Sequence, residues 1–299
     1  MGPYLTRFSI HDLEEFSGVK AHTIRIWEKR YGLLSPDRTD TNIRTYGVDE
    51  LKTILNVAYL NRNGVKISRI AALTSEERDR QVKEVAQRGG DEGSDLNTLK
   101  LAMVSYDTDL FERTSAAFQA ESGFRALVER LYVPLLEHIG VLWQSNAICP
   151  AQEHFVSNLV RQKLVVAVDG AARPLDAAGQ VYVLYLPENE IHELGLLYTH
   201  YLLRSAGHQV IYLGQSVPLE DLPQVVAQFA SPLEFISIFT AFPQSDDLRS
   251  YLDKLRVLVP EERVRFRFTG SRVAAADLKR AGEGISLLPH FKDLLASIL

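Results

Sequence analysis

The first 90 residues combine short amphipathic segments with a polar hairpin pattern. The segment Ser9-Ile-His-Asp12 has the residue types of a helix N-cap, and it predicts a short helix that ends at Ser17 before a glycine. A second helix is predicted from Lys20 to Tyr31, and an amphipathic helix from Val48 to Asn63. The polar stretch between these two helices contains arginines and a tyrosine and is typical of a wing. Residues 1–88 therefore predict an all-α winged helix-turn-helix domain.

The pattern from residue 96 to residue 172 is helical throughout, with apolar residues three and four positions apart. It follows a glycine-rich, acidic run from Arg88 to Asp95 that is typical of a domain linker. Gly123, Pro134 and Cys149-Pro150 interrupt the helical pattern. We therefore predict a four-helix bundle over this segment.

The pattern changes again between residues 178 and 299, where short β-rich runs alternate with amphipathic helical segments. The predicted strands are Val181–Leu186, Val210–Leu213, Phe235–Thr240, Val264–Thr269 and Ile285–Leu288. This alternation predicts an α/β domain with a doubly wound, flavodoxin-like parallel sheet. Ligands of such sheets bind beyond the carboxyl ends of the strands, so we expect a site in the loops that follow them.

The composition is typical of a globular protein of the cytoplasm. Of the 299 residues, 46% are hydrophobic and 24% are charged, which suffices for several domains with cores of their own. Cys149 is the single cysteine, so an intramolecular disulfide framework and a cysteine-rich zinc site are excluded. No apolar run approaches the roughly 20 residues of a membrane helix, and the N-terminus lacks the features of a signal peptide. We expect a cytoplasmic protein with no membrane partner.

Charge is distributed unevenly along the chain. The net charge is −5, yet residues 1–70 contain 11 Lys and Arg against 8 Asp and Glu, which leaves a net charge of −8 for the remainder. Because an acidic surface repels phosphates, we expect contact with double-stranded DNA to be confined to the N-terminal domain.

The helix from Lys20 to Tyr31 has one side suited to packing and another suited to a major groove, since Ile24 and Trp27 lie three residues apart. Residues Thr23-Ile-Arg-Ile-Trp-Glu-Lys-Arg-Tyr-Gly-Leu-Leu34 and Arg44-Thr-Tyr46 resemble the DNA-binding domain of the MerR family. The resemblance implies base contacts by His22, Thr23 and Arg25, and phosphate contacts by Arg30, Tyr31, Arg38, Arg44 and Tyr46. The alternative is a surface helix whose charges are only solvated, and the adjacent basic wing argues against it.

One feature departs from many MerR regulators, which continue into a long helix that pairs as an antiparallel coiled coil. Here the helix after Thr74 ends near Arg88, which is shorter than the three to four heptads that a coiled coil needs. A lone winged domain makes few phosphate contacts, so we expect operator binding to require self-association, as a dimer or tetramer, through the other domains.

A histidine follows the first predicted strand of the C-terminal segment, in Glu188-Asn-Glu190-Ile-His192-Glu-Leu-Gly195. The pattern E-x-H-x-x-G resembles the D-x-H-x-x-G signature of cobalamin-binding domains. That resemblance implies that His192 coordinates cobalt from the lower face and that Glu190 accepts a hydrogen bond from its other ring nitrogen. The alternative is an exposed or capping histidine near a helix start.

Two further positions extend this resemblance. Ser237-Ile-Phe239 stands where cobalamin-binding domains have Ser-x-Leu, with 41 residues between Gly195 and Ser237, and Gly270-Ser271 stands where they have Gly-Gly. Small residues are expected there because the nucleotide tail of the cofactor passes between sheet and helices. Because Phe239 replaces a leucine and Ser271 replaces a glycine, this chain leaves less room for that tail.

The helical segment carries a tryptophan followed, after nine residues, by Glu-His, namely Trp143, Glu153 and His154. This arrangement resembles the upper-face cap of the cobalamin-dependent photoreceptor regulators of the CarH, CarA and LitR group. It implies that the three side chains cover the adenosyl side of the cofactor. The alternatives are a core tryptophan and a buried, hydrogen-bonded histidine. The light-responsive members have a cobalt-trapping histidine beside the tryptophan, where this chain has Gln144.

The leading hypothesis is a transcription regulator, a repressor by resemblance, that is not an enzyme and that binds adenosylcobalamin. Light would act through photolysis of the cofactor and a change of oligomeric state. The second hypothesis keeps the architecture with another tetrapyrrole such as a bilin, or with no cofactor and a protein partner. The third is a corrinoid carrier in methyl transfer, which has no use for a winged domain.

Overall fold

A computed structural model describes residues 7–39, 41–89, 93–145, 147–171, 180–243, 247–260, 262–273 and 284–298. The chain forms two compact units that divide between Leu159 and Val160. The first contains the predicted winged domain and most of the predicted bundle, and the second contains the sheet. None of the helices within these described ranges is long and apolar enough to cross a membrane.

The winged helix-turn-helix is present as predicted. Its elements are α1 (Ile10–Ser17), α2 (Ala21–Tyr31), the antiparallel strands β1 (Asp37–Arg38) and β2 (Arg44–Thr45), α3 (Val48–Arg62), α4 (Ile67–Ala71) and α5 (Ser75–Gly89). Ser9 and Asp12 form a reciprocal capping box at the start of α1. The turn between α1 and α2 needs a left-handed residue, and Gly18 supplies it with φ of 69°.

Helix α5 folds back onto α3. The Asp79 carboxylate of α5 accepts hydrogen bonds from Lys52 Nζ at 2.5 Å and from Asn56 Nδ2 at 2.7 Å, and both donors belong to α3. The side of α5 that carries Asp79 therefore packs against α3 of its own domain. This agrees with the expectation that α5 does not form an antiparallel coiled coil.

Four helices follow: α6 (Gly93–Ser105), α7 (Thr108–Leu127), α8 (Val133–Gln144) and α9 (Pro150–Gly170), with a π-helical turn at Val128–Tyr132. Gly123 interrupts α7 with φ of 83°, at a position where the sequence predicts a break. The described residues of the predicted linker from Arg88 to Asp95 are helical, because α5 extends to Gly89 and α6 begins at Gly93, and residues 90–92 lie outside the described ranges.

The first bundle helix packs against the winged domain within the same compact unit. Lys100 of α6 is buried, and its Nζ lies 3.5 Å from the carbonyl oxygen of Phe16, near the C-terminus of α1. Arg62 donates to the next carbonyl, that of Ser17, at 2.7 Å. Two cations thus face the negative end of the α1 dipole. Burial, helped by the nearby Arg62 charge, lowers the pKa of Lys100 to about 8.

The second unit is the predicted parallel α/β domain. Its strands are β3 (Val181–Pro187), β4 (Gln209–Val217), β5 (Leu233–Ile238), β6 (Val264–Thr269) and β7 (Ile285–Leu288), and its helices are α10 (Leu194–Ser205), α11 (Leu222–Ala227), α12 (Leu248–Leu258) and α13 (Phe291–Ile298). The strand order is β4-β3-β5-β6-β7, and every pairing is parallel. This is the flavodoxin-like order, with its switch point between β3 and β5.

The two faces of the sheet carry separate apolar cores. Odd-numbered residues of β3 and β5, such as Val183 and Phe235, pack with Leu252 of α12. Even-numbered residues, such as Leu184 and Ile236, pack with Leu294 of α13. Burial on both faces explains why β3 is an almost continuous apolar run, whereas the equally buried β5 also contains Glu234 and Ser237.

Candidate cofactor and nucleic-acid sites

The switch point of the sheet holds a buried carboxylate that joins two loops. Glu190 follows β3, and its side chain is 0% exposed. One carboxylate oxygen, Oε1, accepts from the backbone N–H groups of Ile191 (2.9 Å) and His192 (3.0 Å) and lies 2.5 Å from His192 Nδ1. The other oxygen, Oε2, accepts from the N–H groups of Thr240 (3.0 Å), Ala241 (2.6 Å) and Phe242 (2.9 Å), in the loop after β5.

The hydrogen bonds keep Glu190 ionised and fix the tautomer of His192. Burial alone would raise the pKa of Glu190, but the hydrogen bonds from His192 and from the loop amides outweigh it and lower this pKa to about 2. A carboxylate accepts only, so the neutral imidazole must carry its proton on Nδ1, which leaves the lone pair on Nε2. The His192 side chain is 55% exposed. This arrangement can present a nitrogen ligand at the crevice where the fold binds ligands.

A second carboxylate anchors the other end of the same loop. Glu193, whose side chain is 7% exposed, accepts from Arg161 Nε of α9 at 2.5 Å and from the Tyr212 hydroxyl of β4 at 2.9 Å. His192 therefore lies between two carboxylates that are each fixed to other elements. The sequence marks Glu193 only as the neighbour of the histidine, and it gives no signal for Arg161.

The glycines of the predicted site allow close approach of backbone and side chains. A Cβ on Gly195 would lie 2.9 Å from Cδ1 of Ile238, so a larger residue would require the end of that side chain to shift. A Cβ on Gly270 would lie 2.4 Å from the carbonyl oxygen of Phe239, and its φ is 116°, a conformation that requires glycine. Ser271 donates from Oγ to the Thr240 carbonyl at 2.8 Å.

The Ser-x-Phe segment lies on the central strand and just beyond it. Ser237 is fully buried, and its Oγ has no hydrogen-bond partner among the described residues. Phe239 is also fully buried, with its ring stacked on Phe268 at 4.8 Å and edge-on to Tyr251 at 5.4 Å. A buried hydroxyl without a partner is costly and fits a ligand atom. Phe239, which stands where the Ser-x-Leu pattern has leucine, packs with Phe268 and Tyr251 beside this hydroxyl.

The bundle residues of the predicted cap lie on two helices. Trp143 belongs to α8, and Glu153 and His154 lie near the start of α9. The side chains of Trp143 and Gln144 lie outside the described part of the structure. His154 Nδ1 is paired with Glu153 Oε2, and the His154 side chain is 71% exposed. The described part of the bundle thus contains a second Glu-His pair, and it is much more exposed than the pair at the sheet.

In the ranges that the structure describes, no three His, Cys, Asp or Glu side chains are grouped as a metal site. The buried Glu190, the oriented imidazole and the Ser237 hydroxyl fit a corrinoid, which needs a single protein ligand below the cobalt.

The outward side of α2 is cationic. His22, Arg25 and Arg30 are exposed, and Thr23 is partly exposed. The guanidinium of Arg30 lies over the ring of Tyr31, 5.3 Å from its centroid. In the wing, the exposed Arg38 donates to Asn42 Oδ1 at 2.6 Å.

Two predicted phosphate ligands, Arg44 and Tyr46, join the wing to α2. Glu28 accepts from Arg44 Nε at 2.9 Å and from the Tyr46 hydroxyl at 2.9 Å. Tyr46 is fully buried, and burial together with the Glu28 carboxylate raises its pKa well above the usual value. The Tyr46 hydroxyl is therefore not presented to a phosphate, because it fixes the wing instead. Sequence reasoning missed Glu28, since a glutamate on a basic helix resembles a solvated charge.

Comparison with known proteins gives two family matches and relatives that extend over most of the chain. Residues 8–77 match the MerR HTH family regulatory protein family, and residues 95–167 match the B12 binding domain family. The HTH-type transcriptional repressor CarH of Myxococcus xanthus is 32% identical over 264 residues, 85% of each chain. The HTH-type transcriptional repressor CarA of the same organism is 27% identical over 253 residues, 84% of this chain and 83% of its own. The monomethylamine corrinoid protein of Methanosarcina barkeri has a similar fold, with a TM-score of 0.58 and 14% identity over 70% of this chain and 100% of that protein.

Proposed function

Because the chain belongs to the family of MerR-type transcriptional repressors with a B12-binding domain, we propose that it represses transcription under the control of a bound cobalamin. The observation that carries this proposal is the His192 imidazole, oriented by the buried Glu190 at the switch point of the sheet. The role is that of a regulator and not of an enzyme.

His192 would be the lower axial ligand through Nε2. When bound, cobalamin would supply a cobalt ion that takes a nitrogen ligand from the protein and a cobalt–carbon bond that light can break. Glu190 holds the proton on Nδ1 and keeps the ring in position, because five backbone N–H groups fix its carboxylate. Ser237 offers a buried hydroxyl to the part of the cofactor that enters beside the central strand.

We further propose the form of the cofactor, the signal and the assembly state. Adenosylcobalamin is the proposed form, with Trp143, Glu153 and His154 over its upper face, as the resemblance to the CarH group implies. Gln144 cannot trap cobalt as a histidine would, so a light response would use another route. The repressor would act as a dimer or tetramer, with assembly depending on the cofactor.

On the DNA side, α2 would enter the major groove of a double-stranded operator. His22, Thr23 and Arg25 would contact bases, and Arg30, Tyr31 and Arg38 would contact phosphates. The exposure of this side of α2 supports the assignment. Arg44 keeps a partly exposed guanidinium that can reach a phosphate while Glu28 holds it.

An absorption spectrum tests the cofactor. The purified chain is incubated with adenosylcobalamin in the dark, desalted, and measured before and after green light. We expect cobalamin bands at one equivalent per chain, and a spectral change on illumination if light is the signal. A chain that retains no cobalamin, or that retains a bilin in its place, would refute the proposal.

A matched pair of variants tests the ligand. His192→Ala should change the spectrum to that of cobalamin without a protein imidazole, because the exposed ring can be removed without a cavity. His290→Ala removes a histidine at the start of α13 and should leave the spectrum unchanged. Identical spectra for His192→Ala and the parent would show that another group binds the cobalt.

A further inference from the structure

Two large apolar side chains of the winged domain are exposed among its described residues. Ile26 is 53% exposed and lies on α2, and Ile43 is 62% exposed and lies next to β2 in the wing. Every other large apolar residue of that domain in the described ranges is buried or partly buried. Both exposed side chains therefore lie on the two elements that a winged domain directs toward DNA.

The position of Ile26 on its helix is the outermost one. Ile24 is fully buried and fixes the inner side of α2. Residues two apart on an α-helix lie about 160° apart around the axis, so Ile26 points away from the core. His22 and Arg30 are each four residues from Ile26 and border it on the same side.

An apolar group in this position has a specific counterpart in the major groove. Cationic side chains there are attracted to phosphates and to guanine, whereas an aliphatic side chain has no partner among polar base edges. Thymine alone presents a methyl group in the major groove of unmodified DNA, and aliphatic contact with that methyl is a recognised form of base readout.

We propose that Ile26 determines operator sequence by contact with a thymine methyl group in each half-site. This inference rests on the proposed DNA-binding function, and it adds a base preference to it. The contact buries roughly one methyl group, which corresponds to about fourfold in affinity.

The test removes the methyl from the DNA and the isoleucine from the protein. The operator is first selected from random duplexes by the full chain, with and without adenosylcobalamin in the dark. Each thymine is then replaced by deoxyuridine, which lacks only the C5 methyl. We expect one position per half-site at which deoxyuridine weakens binding by the parent about fourfold.

Ile26→Ala should bind the thymine and deoxyuridine operators equally, because its methyl-dependent contact is gone, whereas Ile26→Val should keep part of the difference. Ile43→Ala is the control, because Ile43 lies in the wing and not on α2, the helix proposed to enter the major groove where the thymine methyl is displayed. It should retain the full methyl dependence.

Two outcomes overturn the inference and are distinguishable. If the parent selects an operator but no thymine methyl matters, or if Ile26→Ala keeps the parent's methyl dependence, the role of Ile26 is refuted and the repressor function stands. If the parent selects no sequence at all, the proposed function itself fails, and the base preference with it.

Discussion

Replacement of Glu190 by glutamine should loosen the switch point and reverse the tautomer of His192. All six groups that face the Glu190 carboxylate are hydrogen-bond donors: five backbone N–H groups and the imidazole Nδ1. Glutamine offers one acceptor oxygen and one donor amide, so several of these donors would face another donor. If the amide points to Nδ1, the ring must accept there and carry its proton on Nε2, where a metal ligand needs the lone pair.

The pKa of Glu190 gives the size of the effect. A shift from the usual value of 4.5 to about 2 corresponds to on the order of 3 kcal/mol of stabilisation by the charged form. Because the folded-state pKa lies below the unfolded one, this contribution is complete above about pH 4.5 and is lost as the pH falls toward 2. The cost of Glu190→Gln should therefore be about 3 kcal/mol at pH 7 and should shrink in that acidic window.

Hydrogen exchange measures the loss of stability at the loop after β5 itself. The measurement therefore does not require a single unfolding transition for a chain with two compact units. The amides of Thr240, Ala241 and Phe242 should exchange on the order of 100-fold faster in Glu190→Gln than in the parent at pH 7. Replacement of the exposed Glu188, two residues earlier, is the matched control and should change nothing. Equal protection in parent and Glu190→Gln would refute the argument that the carboxylate holds both loops.

Four further predictions concern two glycines, the wing junction and an ion pair. Gly270→Ala should destabilise the sheet domain by at least about 2 kcal/mol in thermal unfolding, because the new carbon would lie 2.4 Å from a backbone oxygen. Gly140→Ala, in α8 with open space around the added carbon, should instead stabilise the chain by about 0.5–1 kcal/mol. Glu28→Gln should weaken operator binding roughly tenfold in gel shifts, because the wing loses charge-assisted hydrogen bonds to α2; unchanged affinity would contradict the role of this junction. Arg161→Met and Glu193→Gln should show a coupling of about 1 kcal/mol in a double-mutant cycle of chemical unfolding, and additive effects would contradict a direct ion pair.

Most strand bounds were predictable where burial sets the pattern, although β5 begins and ends two residues before the predicted Phe235–Thr240. The predictions for β6 and β7 match the structure at both ends, and β3 is one residue longer than predicted. Strand β4 extends from Gln209 to Val217, whereas the sequence predicts only Val210–Leu213. Its extension contains a glycine and exposed polar residues, and it is held by backbone pairing to β3. Such pairing leaves no apolar signal in the sequence, which explains the short prediction.

The winged domain and the Glu190–His192 pair were predictable because their residue types are tied to a spacing. The partners of the second Glu190 oxygen were not predictable, since backbone N–H groups carry no sequence signature. The same limit applies to Tyr46, whose phosphate role was implied by the resemblance to the MerR family. A tyrosine hydroxyl can face solvent or a buried carboxylate, and only the fold decides between the two.

The substitution of glutamate for the aspartate of the cobalamin-binding signature has a structural use in this chain. Because the Glu190 side chain is one methylene longer, its carboxylate reaches the imidazole with one oxygen and the amides of Thr240 to Phe242 with the other. These hydrogen bonds connect His192, through Glu190, to the loop after β5 as well as to its own loop. Aspartate at this position would keep the charge but shorten the reach, so it should preserve one set of hydrogen bonds and not both.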